Sequence, residues 1–78
     1  MFTKRVIEIK KGNKWIIDAV WTNKTSDIMS MLADELLSKY VYKGNYISRV
    51  SCNYGTVTVY YKNLVNGKTD LRATYYKE

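Results

Sequence analysis

The chain has 78 residues with no histidine, no proline and a single cysteine, and its thirteen Lys/Arg outnumber seven Asp/Glu to leave a formal net charge of +6. Those absences exclude an internal disulfide and remove the commonest metal ligand and the usual neutral-pH general base. The length allows one domain with one core, and no apolar run approaches the ~18–20 residues that cross a bilayer.

The first expected strand is Thr3 to Lys10, with Ile7 and Ile9 on one side and Val6, Glu8 and Lys10 on the other. Lys11-Gly12-Asn13 reads as a turn, because Gly and Asn tolerate positive φ. A second strand follows from Lys14 to Thr22, in which Trp15, Ile17, Ala19 and Trp21 alternate with Ile16, Asp18 and Val20. That period of two marks a strand with one buried face. Thr25-Ser26-Asp27 opens a helix, since each residue can cap free backbone N–H groups. On the helical wheel Ile28, Met29, Leu32, Ala33, Leu36, Leu37 and Tyr40 share the apolar half, with Asp34 and Glu35 opposite and Met31 misplaced among the polar residues. The helix is expected to end between Tyr40 and Lys43, stopped by Gly44 or Asn45. Three strands rich in Tyr, Val and Thr complete the chain: Tyr46–Asn53, Thr56–Asn63 and Thr69–Tyr76.

The order β-β-α-β-β-β predicts an α+β two-layer domain, a five-stranded antiparallel sheet with one helix on one face. If the helix returns the chain across the sheet, the third strand pairs with the first and the spatial order is 2-1-3-4-5. Order 1-2-3-4-5, with a parallel central pair, is the alternative.

One helix covers one face. Its expected partners are Ile7, Ile9, Trp15, Ile17, Ala19, Trp21, Val50, Cys52, Val57, Val59, Tyr61, Leu71, Ala73 and Tyr75, with Cys52 acting as a small packed hydrophobe. The other face then holds two kinds of surface. Arg49, Tyr60, Lys62, Arg72 and Tyr76 form a basic, aromatic half. Val6, Ile16 and Val20 form an apolar half, a candidate homodimer or partner interface. Lys10, Lys11 and Lys14 add a basic hairpin tip that can touch phosphates. With Asp27, Asp34 and Glu35 on the exposed helix side, charge is expected to be segregated between the two layers.

The basic aromatic half suits bases stacked on tyrosine rings with phosphates on Arg and Lys. The same tyrosines also suit the solvent side of any antiparallel strand, where pairs such as Tyr60–Arg72 stabilise a sheet without a ligand. No catalytic or metal-ligating constellation is visible, so the expectation is a non-enzymatic protein without a cofactor. The lone cysteine and the lack of a signal-like apolar run point to the cytoplasm.

In size and in the succession of one helix and a Tyr- and Lys-rich strand run, Tyr46-Ile47-Ser48-Arg49-Val50 then Thr56-Val57-Thr58-Val59-Tyr60-Tyr61-Lys62, the chain resembles small phage and mobile-element inhibitors of the anti-CRISPR type. The resemblance implies a stoichiometric inhibitor that docks on a host protein or nucleoprotein complex in the host cytoplasm. It carries no functional residue across, and a +6 chain departs from the acidic DNA mimics of that group. The composition itself leaves direct binding of single- or double-stranded nucleic acid as the other reading, with a small structural subunit as a third.

Overall fold

The computed structural model describes residues 2–22, 25–37, 41–42 and 44–77. Its elements are β1 (Phe2–Lys11), β2 (Lys14–Thr22), α1 (Thr25–Leu37), β3 (Val41–Tyr42), β4 (Asn45–Asn53), β5 (Thr56–Asn63) and β6 (Leu71–Lys77). The capping side chains of Thr25, Ser26 and Asp27 lie outside what is described, as do Tyr40 and Lys43; the helix does not run on through Tyr42 as expected, because Val41–Tyr42 is strand. Val41–Tyr42 is a strand that the alternation did not reveal. It pairs with Asn45 and Tyr46 across a tight turn, and Gly44, expected to stop the helix, supplies that turn with its φ of 74°.

The α+β class holds, with every ladder antiparallel, but the strand order does not. Among the described residues the sheet has six strands in the order β2-β1-β6-β5-β4-β3. The last strand, not Tyr46–Asn53, lies beside β1, where Arg5, Ile7 and Ile9 face Tyr75, Ala73 and Leu71. Burial explains the choice. A strand in the middle of the sheet has neighbours on both edges, and β6 buries Leu71, Ala73, Thr74 and Tyr75. β4, with Ser48, Arg49, Ser51 and Asn53, is polar enough to sit near the edge.

Three register shifts interrupt the ladders, one at the end of the β1–β6 pairing between Phe2 and Lys4 and two that reset the side-chain alternation near the site. In β2 the pairing steps from Ile7↔Ala19 to Glu8↔Ile17, so Asp18 is the extra residue of a bulge. In β4 the step from Ile47↔Tyr61 to Arg49↔Tyr60 makes Ser48 the extra one. Each bulge shifts the strand by one residue and moves everything beyond it to the other face. Trp15 and Ile17, expected in the core, therefore lie on the face away from the helix, and Ile16 moves to the helix side.

The core gathers Ile7, Ile28, Val59, Tyr61, Leu71, Ala73 and Tyr75, with Trp21, Leu32, Ile47 and Val57 packed around them. The helix lies over β1 and β2. Val50 and Cys52 occupy the helix-side face of β4, beyond its reach, and both are exposed. Cys52 is thus not the packed hydrophobe that its alternation implied.

Helix α1 is rolled by roughly a quarter turn from the expected orientation. Its inward stripe is Ile28, Met31, Leu32 and Glu35, while Met29 and Leu36 are 45% and 48% exposed. The reason is Arg5, on the helix side of β1 and buried. Its Nη2 donates to Glu35 Oε1, its Nε donates to the Tyr75 hydroxyl at 2.8 Å, and its guanidinium lies 4.4 Å from the Trp21 ring centre. Burial alone would lower the Arg5 pKa, but the hydrogen bond and charge of Glu35 outweigh it and raise the value. Glu35 is accordingly no part of an acidic outer layer. A buried cation without this carboxylate would be very costly, so the ion pair fixes how the helix sits.

Candidate functional site

On the face away from the helix, the registers of four ladders align one transverse row across five strands. It runs Ile17, Glu8, Arg72, Tyr60, Arg49. A shorter row above it holds Trp15 opposite Lys10, and Lys62 opposite Tyr46. Together these rows enclose a cleft of about 580 Å³. Lys10, Arg49, Lys62 and Arg72 supply its cations, Trp15 and Tyr60 its rings, and Ser48 and Thr69 its hydroxyls; no carboxylate lines it.

The cations and rings are paired. Arg72 lies 4.1 Å from the Trp15 ring centre, Arg49 lies 4.3 Å from that of Tyr60, and Lys10 stands 5.9 Å from Trp15. A guanidinium at this distance is attracted to the negative face of the ring. Arg72 is held a second way, because its Nε donates to Glu8 Oε1 at 2.9 Å. Burial works against its charge, yet the hydrogen bond and negative charge of Glu8, supported by Tyr60, raise its pKa. Arg72 is therefore fixed and largely compensated, whereas Lys10, Arg49 and Lys62 are exposed.

A second cleft of about 550 Å³ adjoins the first and shares Lys10 and Thr69 with it. It lies between the β1–β2 turn, through Gly12, and the β5–β6 connection, through Asn66, Lys68 and Asp70. The connection is held by its own polar groups. Asn63 Oδ1 accepts from the backbone of Val65 and Asn66, Asn66 Oδ1 accepts from Lys68, and the Lys10 amide donates to the Asp70 carbonyl at 2.8 Å.

Five of the expected site residues, Lys10, Arg49, Tyr60, Lys62 and Arg72, meet in the first cleft. Three do not. Tyr76 sits two rows away opposite Lys4, whose ammonium stands 5.1 Å from its ring centre. Lys11 and Lys14 pair with each other at the hairpin tip and line neither cleft. The apolar half does not form as expected. Val6 is 4% exposed, between neighbours that cover it, and Ile16 has passed to the helix side, leaving Val20 beside the displaced Ile17. Trp15 is the functional candidate that alternation hid. The adjacent pair Ile16-Ile17 followed by Asp18 is the one sequence hint that the period of two is interrupted there.

No protein-family model, no curated protein and no solved structure matches the chain. The reading of the site therefore rests on its own geometry. Among the described residues no group of His, Cys, Asp and Glu could hold a metal ion, and no helix is long and apolar enough to cross a membrane.

Proposed function

We propose that this is a nucleic-acid-binding accessory protein that takes its ligand on the open face of the sheet and has no enzymatic activity. The observation that carries this reading is the cleft in which four cations and two aromatic rings meet without a lining carboxylate. Cations attract the polyphosphate backbone over a distance that depends on salt, and the rings offer stacking surface for bases. The net charge of +6 supports the same ligand.

The test is fluorescence anisotropy of labelled single- and double-stranded oligonucleotides at about 50 and 200 mM salt. Binding should weaken with salt, and Arg49→Ala and Lys62→Ala should each reduce the slope of log K against log[salt] by roughly one unit. Unchanged binding by the double variant would sink this reading.

A second reading is favoured by the exposed Met29 and Leu36 on the outer side of α1. These residues suit contact with a protein, as in an anti-CRISPR-type inhibitor docked on a host protein or nucleoprotein complex. Under that reading Met29→Lys abolishes capture of the target while Arg49→Ala does not.

A further inference from the structure

We propose that the cleft selects single strands with their bases turned inward, and that Glu8 sets this selectivity by neutralising the centre of the cleft. The inference rests on the nucleic-acid reading above and names which form of the ligand the face takes. Its ground is the uneven distribution of charge across one row of the sheet.

The middle of the row is Glu8, Arg72 and Tyr60. Glu8 holds the Arg72 Nε at 2.9 Å, both side chains are partly buried, and Trp15 lies under the guanidinium. This centre consists of flat groups with almost no net charge. The uncompensated charge lies around it, on the exposed Lys10, Arg49 and Lys62. Phosphates are attracted to those outer cations and gain little from a centre whose one cation already has a carboxylate. Bases behave oppositely. They are neutral and planar, and they stack on aromatic rings and on guanidinium planes alike.

A duplex hides the faces of its bases and presents phosphates over its whole surface, so it cannot use the central stack. A single strand can place phosphates on the outer cations while its bases occupy the centre. The second cleft adjoins the first through Lys10 and Thr69 and adds the cation of Lys68 beside Asp70.

The experiment compares three probes on the folded protein: a single-stranded oligothymidylate of about ten nucleotides, a blunt DNA duplex and inorganic polyphosphate, which has charge without bases. Wild type should prefer the single strand. Trp15→Ala should weaken the single strand by about 10-fold or more and leave polyphosphate unchanged, while Trp15→Tyr restores binding. Glu8→Gln keeps a hydrogen-bonding group beside Arg72 but releases its charge. It should tighten duplex and polyphosphate, steepen their salt slopes by about one unit, and shrink the preference for the single strand.

Equal losses on single strand and polyphosphate in Trp15→Ala would overturn the inference, as would an unchanged preference in Glu8→Gln, with the nucleic-acid reading left standing. Failure of the wild type to bind any of the three probes would remove the nucleic-acid reading and this inference with it.

Discussion

Replacing Glu35 by alanine tests the feature that orients the helix. The variant leaves Arg5 buried, with the Tyr75 hydroxyl at 2.8 Å and the Trp21 ring at 4.4 Å as its remaining contacts. Removing one partner of a buried ion pair costs about 3–5 kcal/mol, most of it from the charge left behind. The two surviving contacts persist in the variant, and water can enter beside the shortened side chain, so the low end of about 3 kcal/mol applies. A chain of this size holds on the order of 4–12 kcal/mol in total. With a urea slope near 1 kcal/mol/M, the midpoint should fall by about 3 M. Urea unfolding followed by tryptophan fluorescence measures this directly, since Trp21 reports on the site. Converting both residues to apolar ones, Arg5→Met with Glu35→Leu, should recover most of the loss. Glu35 Oε2 has no hydrogen-bond partner among the described residues, so the native pair is incompletely satisfied. A single variant within about 1 kcal/mol of wild type, or a double variant weaker than the single, would refute the argument.

Three further outcomes follow from the fold. Burial, then the charge of Glu35, raises the pKa of Tyr75, so the unfolded chain releases this proton first as pH rises. Its contribution is complete below pH about 10 and is lost above it, at up to about 1.4 kcal/mol per pH unit; alkaline unfolding titrations should show this fall in wild type and not in Tyr75→Phe. Deleting Asp18 removes the extra residue of the β2 bulge without reversing either face, so Trp15 stays opposite Lys10. Oligonucleotide binding should survive; a collapsed circular-dichroism spectrum would show the register to be otherwise. Cys52 is exposed and should react with a thiol reagent about as fast in the native protein as in urea; core-like protection would contradict its position on β4.

The elements were legible because local signals agree: Gly12 and Asn13 turn the first hairpin, and alternation in Thr56–Asn63 gives that strand its bounds unchanged. What lay hidden was global. Counting in twos assigns Trp15 correctly only if no residue is extra, and the Ile16-Ile17-Asp18 run hints at an interruption without fixing which residue is the extra one. Strand order was ambiguous because a meander can close onto β1 from either end, and both closures are antiparallel. The helix roll escaped the wheel because Arg5 and Glu35 read as surface residues when taken singly. Their burial is a property of the pair, seventy and thirty positions from the groups they meet, Tyr75 and each other. The five cleft residues on the correct face were those for which no bulge intervened between the counted strand and its register, or for which Arg49 lay on the near side of one.

The position of β6 also governs the order in which the molecule can be made. β1 is made well before β6, yet the two are neighbours at the centre of the sheet. Until Leu71–Lys77 is available, the β1–β2 hairpin and the β3–β5 meander each present an unpaired inner edge. Such edges template pairing with other chains. Nascent or truncated chains should thus depend on chaperones or on rapid completion, and closure across a span of about seventy residues makes folding slow for so small a protein. A split molecule turns the same arrangement to use: a fragment ending before Leu71 should be rescued by a separate peptide of β6, which completes the sheet as a missing slat completes a shutter.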